Sequence, residues 1–566
     1  MKEGNNLRII LTLGLLLFFQ VQAASPGAIH ASEGMVVSRS ALASTAGVEI
    51  MKSGGNAIDA AVATGFALAV TYPSAGNLGG GGFAVIQLQD GTVVTLDHRE
   101  TAPGHASRDM YLDKDGTVIQ GLSRQSHASS GVPGTVDGLL TLLEKYGTKT
   151  RREVMATAIR LAREGFPLSR DMTEQFAGVL GFMQDHPTSH KVFSNNGQAY
   201  REGDLWKQPD LADTLEIIAE KGRDGFYNGR IAELIVAEMQ RGNGLISLQD
   251  LTNYRSVWRE PVHGTYRGYD IWGMPPPSSG GVLVVEMLNM LEPHDLAGMG
   301  WGSAAAVHVL IESERRAYAD RSEYLGDPDY YPVPVSKLIA KDYARQRFSD
   351  FRADQASNSA TITPGKWSEE SIETTHFSTM DAAGNAVALT TTLNSSFGNR
   401  IVVTGAGFLL NNEMDDFSIR ENTANQYGLL GREANSIEAG KRMLSSMSPT
   451  IVSREGKPYL ITGSPGGSTI ITTVLQVIVN VIDHKMGIED AVALPRFHHQ
   501  WQPDGVIYDP FAISPDTLAI LGKMGHKGFR NFPFGGGLGD ANSILVKEGE
   551  LLGMKDPRNE GLAVGY

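Results

Sequence analysis

Residues 375 to 393 set the strongest constraint on how this chain folds. From Thr375 to Met380 and from Ala386 to Leu393, apolar and small polar residues alternate on either side of Asp381-Ala382-Ala383-Gly384-Asn385, the pattern of a β-hairpin. With the turn centred on Ala383, Thr374 lies opposite Thr392. Side chains repeat on one face every second residue, so Thr392 and Asn394 share the face that Thr374 occupies. The hairpin sits in a chain of 566 residues, 41% hydrophobic and 20% charged, which is enough to bury a large core. A prior of ~150 residues per domain allows roughly three or four domains. Alternating helix-like and strand-like segments without a disordered linker fit one layered α/β body equally well.

Upstream, Gly55 to Val70 (GNAIDAAVATGFALAV) reads as an alanine-rich helix, and Gly76 to Gln87 (GNLGGGGFAVIQ) as a glycine turn feeding a strand. A dinucleotide fingerprint needs the order strand, glycines, helix, because the phosphates rest on the helix N-terminus. Here a helix comes first, so the glycines are read as close backbone packing. Helix-like stretches run from Val154 to Glu164 and from Ile231 to Met239, with Pro275-Pro276-Pro277 among the turns. Between Arg352 and Thr374 the composition shifts to Ser, Thr, Asn and Asp with almost no large apolar residues. That shift predicts a surface segment leading into the hairpin.

Lys2 and Arg8 precede an apolar run from Ile9 to Phe19, followed by small residues around Val21-Gln22-Ala23. This is the layout of a cleaved secretory signal over residues 1–23, with a periplasmic or secreted product; the run falls short of the ~20 residues of a membrane-spanning helix, and an uncleaved anchor is the alternative. The formal charge of −14, with no local Lys/Arg cluster to offset it, argues against a nucleic-acid partner. There is no cysteine, so disulfides, thiolate catalysis and cysteine metal sites are excluded, and the nucleophile of any covalent chemistry is an oxygen or an amine.

A threonine hydroxyl is a weak nucleophile, and one way to activate it is to make it the first residue of a chain, where its own α-amine acts as general base. Such an amine, with a pKa of about 7.7 to 8.0, suits work near neutral pH. Thr374 reaches that state only if the bond after Glu373 breaks. Taken alone, a Thr-Thr pair at the start of a strand is ordinarily β-propensity. Further on, Pro458 to Thr462, the turn GSPGGS and Ser468 to Ile482 read as strand, glycine turn and helix. Gly466 and Gly467 lack a Cβ, so their N–H groups can approach a developing oxyanion at the start of a helix; a Walker loop is excluded by the missing lysine.

Read together, TTHFSTMDAAGNAVALTTTLNSSFG, LLNNEMDDFS, SSMSPT and GSPGGS closely resemble the γ-glutamyltranspeptidase family. The resemblance extends upstream through GNAIDAA, GNLGGGGF, HRETAP and GVPG and downstream through PRFHHQW to GLAVGY, in order, over nearly the whole chain after the leader. It implies an N-terminal nucleophile hydrolase fold, a four-layer αββα sandwich with two stacked sheets between helical layers. It also implies autocleavage into a large subunit (24–373) and a small subunit (374–566) that stay together as a heterodimer. Thr374 is then the nucleophile, Thr392 hydrogen-bonds its hydroxyl, and Gly466 and Gly467 form the oxyanion hole.

The same resemblance furnishes a donor pocket. A γ-glutamyl group carries an α-carboxylate and an α-ammonium, which call for a cation or hydroxyls at one end and carboxylates at the other. Arg99 of HRETAP with Ser445 and Ser446 takes the carboxylate; Asp416, Glu413 and Asn394 take the ammonium. The family varies between Gln and Glu at the position of Glu413. Residues 421 to 431, with Tyr427 in NQYGLLG, resemble a loop that covers the site in similar bacterial enzymes, Tyr427 being its latch. His498 and His499 are neighbours on a strand and point to opposite faces, so they are read as packing and no metal is expected. No cofactor is expected either. Implied partners are γ-glutamyl donors such as glutathione and amino-acid or peptide acceptors. Two rivals stand beside this reading: a related acylase acting on other amides such as β-lactam side chains, and a silent binding protein on the same scaffold, which predicts no cleavage at Thr374.

Overall fold

The computed structural model describes residues 25–362, 374–420, 432–532 and 537–566. The leader 1–23 therefore lies outside the described residues, and among those that are described no helix is long and apolar enough to cross a membrane. The hairpin forms as Thr375–Asp381 and Ala386–Thr392. Its register pairs Thr375 with Thr391 and Met380 with Ala386, so one further step brings Thr374 opposite Thr392, as the turn position predicts. The turn closes through the Asp381 and Asn385 backbones, with Gly384 supplying the left-handed φ of +93°.

The hairpin is the centre of a seven-stranded antiparallel sheet. On one side it pairs with Gly34–Ser38 and then Leu562–Gly565; on the other lie Gly81–Gln87, Val93–His98 and Val257–Arg259. A second sheet of seven strands runs Ile29–Ala31, Glu550–Met554, Ser543–Lys547, Lys457–Thr462, Thr450–Arg454, Tyr269–Gly273, Val262–Tyr266. Strand alternation separates three cores. Phe83 and Val85 meet Ile451, Ile461 and Ile544 between the sheets, whereas Ala84 and Ile86 point outward with Val387 and Leu389 under the first helical layer. Ile271, Val452, Leu460 and Leu545 line the outer face of the second sheet, under the other helices. The result is helix, sheet, sheet, helix, the αββα order expected from the resemblance.

Two buried helices carry the layers. Ala57–Thr71 is buried at every position, as its alanine-rich sequence allows; Asn56 caps it, and Asp59 completes the capping box. Thr469–Ile482 is rich in β-branched residues that favour strands, and its helical state is held by burial against the second sheet. The glycine run is backbone packing, as read: a Cβ on Gly80 would stand 2.0 Å from the Thr392 carbonyl oxygen, and one on Gly79 2.1 Å from that of Leu409. Any side chain at Gly80 would displace the end of the strand that carries Thr392.

The polar segment before the hairpin is only partly a surface feature. Arg352 to Gln355 are exposed, but Ser359 and Ile362 are buried, and the Trp501 indole N–H donates to both of their carbonyls at 3.0 Å. Composition reports polarity, and a polar backbone can still be anchored by one aromatic donor.

The buried histidines make stability depend on pH. Loss of solvation pushes His98, His376 and His498 from 6.5 down to about 4, 3 and 3. Because the folded values are depressed, the unfolded chain takes up these protons first as pH falls below 6.5. They cost nothing above that pH, and each then lowers stability by up to ~1.4 kcal/mol per pH unit until its folded pKa is reached. Urea midpoints are expected to fall clearly between pH 7 and pH 5; equal midpoints would show that these imidazoles are not buried neutral.

Candidate active site

Thr374 stands at the head of a central strand and is buried, at 5% exposure, in the wall of a small cavity. Nine of the residues named from the sequence line that cavity: Arg99, Thr374, Thr392, Asn394, Glu413, Asp416, Ser445, Ser446 and Gly467. Arg321, Met447 and Ile470 complete it. Gly466 adjoins Gly467 in the turn before Thr469–Ile482, and Tyr427 lies outside the described residues.

Each wall has a local cause. Where the hairpin strand ends, Asn394 adopts a left-handed φ of +74° and turns its N–H back to the Thr392 hydroxyl oxygen at 2.8 Å. That oxygen is thereby fixed on the face of Thr374. Asn77 ties the strand end from below, donating to the Thr391 hydroxyl at 2.5 Å and the Thr392 carbonyl at 2.9 Å. Glu413–Asp416 is a single tight helical turn held by Asn411, which accepts the Glu413 N–H at 3.0 Å, and by Asn435, which donates to the Asp416 carbonyl at 2.7 Å. Ser445 is pinned through its backbone, which accepts from the Ser279 N–H at 2.7 Å and donates to the Pro277 carbonyl at 2.8 Å.

The glycine turn is braced from outside the cavity. The Tyr318 hydroxyl donates to the Ser468 carbonyl, and the Ser468 hydroxyl donates to Gln500 at 2.7 Å. Gly466 and Gly467 have φ of +135° and +54°, a backbone that side chains disfavour. The turn leads directly into a helix N-terminus, where N–H groups lack intrahelical partners, so an anion beside Gly467 meets oriented donors.

The electrostatics depart from the two-ended pocket drawn from the sequence. Arg99 bonds both carboxylates directly, reaching Glu413 and Asp416 at 2.5 Å each. Its position is set by its own Nε on the Met443 carbonyl and by the Tyr254 hydroxyl on the Arg99 carbonyl. Burial works against the guanidinium charge, but Glu413, Glu100 and Asp416 outweigh it and hold Arg99 protonated. Burial pushes Glu413 and Asp416 up against the pull of Arg99, and Glu100 up to about 8. Arg99, Glu413 and Asp416 thus form one buried ion cluster in the cavity wall.

Sequence reasoning missed Arg321. It belongs to the helix Ala304–Tyr324, where Glu312, Glu314, Arg315, Arg316, Asp320 and Arg321 of the run ESERRAYADRS are all buried. No local signal marks it, since burial of that run is decided by what packs around the helix. His498 and His499 sit in separate networks, His498 with Ser468, Thr472 and Gln500, His499 with Asp504 and the Trp501 N–H. Among the described residues one group, His308, Glu312 and His526, brings three ligand-type atoms within 4.8 Å. Glu312 is committed to Arg315 and Arg316, and the two rings bond each other at 2.7 Å.

Two antiparallel sheets between helical layers, with a hydroxyl residue at the head of a central strand opening into a cavity, define the class as the N-terminal nucleophile hydrolases. The chain is similar over 97% of its length to the crystal structure of a cephalosporin acylase from Bacillus halodurans (TM-score 0.86, 27% identity, 99% of that chain). The family model described as Gamma-glutamyltranspeptidase matches residues 43–566. Glutathione hydrolase proenzyme of Escherichia coli (strain K12) is 48% identical over 545 residues, 95% of this chain and 93% of that protein. The structure of Helicobacter pylori gamma-glutamyltranspeptidase is 47% identical, covering 57% of this chain and 93% of that one, with a TM-score of 0.57. The protein belongs to the γ-glutamyltranspeptidase family, and it is an enzyme of γ-glutamyl transfer and hydrolysis.

Proposed function

We propose that the chain is a secreted or periplasmic precursor that cuts itself between Glu373 and Thr374 and then uses Thr374 on glutathione-like donors. The carrying observation is Thr374 itself, at the head of its strand in a cavity with Thr392, Gly467, Arg99 and two carboxylates. In maturation the Thr374 hydroxyl attacks the Glu373 carbonyl, the peptide C–N bond breaks, and the new ester is hydrolysed by water. This releases the Thr374 α-amine, which then takes the hydroxyl proton as the same oxygen attacks the γ-glutamyl amide. Gly466 and Gly467 stabilise the oxyanion, the amine product leaves with the proton, and water or an amino acid takes the acyl group from the Thr374 ester.

The proposed subunits, 24–373 and 374–566 after removal of 1–23, have a reason to stay together. In the first sheet the hairpin of the small fragment lies between Gly34–Ser38 and Gly81–Gln87 of the large one, and the second sheet is likewise mixed. Separation would expose two sheet centres. Intact mass with N-terminal sequencing of purified protein is expected to give two polypeptides, one beginning Thr-Thr-His-Phe; a single chain with full activity would end this reading.

The acylase rival has the similarity to the cephalosporin acylase in its favour. Two carboxylates beside Arg99 favour a zwitterionic acyl group over a plain diacid, because a glutaryl group brings no cation to meet them. Initial rates on γ-glutamyl, N-acetyl-γ-glutamyl and glutaryl anilides separate the two: the free-amine donor is expected to react far faster than the others. A glutaryl rate equal to or above the γ-glutamyl rate would overturn the donor assignment and leave the Thr374 chemistry standing.

A further inference from the structure

We infer that Arg321 is a positioning residue of the donor pocket, which turns the Ser446 hydroxyl into a donor for the substrate α-carboxylate and supplies the second cation that this carboxylate needs. The inference rests on the γ-glutamyl reading above. Arg321 is buried at 3% exposure and lines the cavity. Its Nη2 donates to the Ser446 hydroxyl oxygen at 3.1 Å and its Nε to the Ser279 hydroxyl oxygen at 2.9 Å. The Ser279 hydroxyl in turn donates to the Ser445 carbonyl at 2.7 Å. One guanidinium therefore ties the large-fragment helix Ala304–Tyr324 to both serines of the pocket.

The chemistry follows from the inventory of the groups. Arginine donates and never accepts, while a serine hydroxyl has one hydrogen and two lone pairs. With a lone pair of Ser446 filled by Arg321, its hydrogen is the group left to offer to a carboxylate in the cavity. Ser445 is prepared in the same sense, because its hydroxyl oxygen accepts the Met447 N–H at 3.2 Å. Charge supports the same role. Arg99 meets Glu413 and Asp416 at 2.5 Å and Glu100 at 3.5 Å, so an arriving carboxylate calls for a further cation in the cavity. The Arg321 charge also acts on Asp416, drawing it against the effect of burial. The Arg321 guanidinium offsets part of the negative charge that Glu100, Glu413 and Asp416 place around Arg99.

The test compares two donors that differ only at the α-carbon: a γ-glutamyl anilide and a 4-aminobutanoyl anilide, which keeps the amine and lacks the carboxylate. The readout is the ratio of their kcat/KM values in wild type, Arg321→Met and Arg321→Lys, with subunit masses and melting curves recorded for each. In Arg321→Met the ratio is expected to fall roughly ten- to a hundredfold, through KM of the γ-glutamyl donor. In Arg321→Lys, which keeps the charge but cannot span Ser279 and Ser446, it is expected to fall by a smaller factor. A merely structural residue would slow both donors alike and leave the ratio unchanged; that result overturns the inference, in the lysine variant if the methionine variant does not fold. A wild-type enzyme that shows no preference for the γ-glutamyl donor would instead defeat the donor assignment itself.

Discussion

Thr374→Ala should remain one uncleaved chain with no γ-glutamyl anilide hydrolysis. The alanine variant lacks the oxygen that attacks the Glu373 carbonyl and later carries the acyl group, so both the maturation and the turnover fail at the same atom. The buried hairpin around it should be unaffected, since alanine fits where the threonine side chain opens into the cavity. Thr374→Ser keeps a hydroxyl and should mature, more slowly, because serine loses the methyl group that fixes the rotamer of the attacking oxygen. Electrophoresis and intact mass after purification read the outcome directly. Efficient cleavage of the alanine variant at this bond would sink the autocatalytic account, whatever its activity.

Arg99→Ala should mature into two fragments yet use donors poorly. No donor is present during self-cleavage, so the pocket cation is not needed for it. In turnover the variant loses a charge-assisted pair with the α-carboxylate, about 1.5 to 3 kcal/mol or roughly ten- to a hundredfold in kcat/KM. A second cost is specific to this structure. Arg99 bridges Glu413 and Asp416, and without it both carboxylates are buried with their main partner gone. They should take up protons, which weakens their hold on the donor ammonium as well. Arg99→Lys restores charge but not two parallel contacts, so it should recover only part of the loss. An unchanged kcat/KM on a γ-glutamyl anilide would remove Arg99 from the donor site.

Most of the site was legible in the sequence because its parts are short and local. The hairpin register followed from period-two alternation with the turn centred on Ala383, and it set Thr374 opposite Thr392 before any long-range contact was known. The glycine run and the strand, turn, helix order around Gly466 and Gly467 were equally local, each needing only a few neighbouring residues to be read. The motifs of the resemblance then brought distant segments into one pocket, and nine of their residues line one cavity.

The tertiary structure decided what depends on which groups share a low-dielectric space. The sequence assigned Arg99 to one end of a donor and Glu413 and Asp416 to the other; packing brings all three into contact as one buried ion cluster. The charged run of Ala304–Tyr324 carries no local mark of burial, yet the helix packs against Gly280–Leu291 and Pro515–Met524, and its Arg321 donates to Ser446. The segment before Thr374 reads as polar surface, and one indole N–H anchors its end at Ser359 and Ile362. Local pattern determined the strands, the turn and the face that Thr374 shares with Thr392, since backbone geometry repeats over a few residues. Burial and charge pairing were fixed only by residues far apart in the chain, whose meeting no local period encodes.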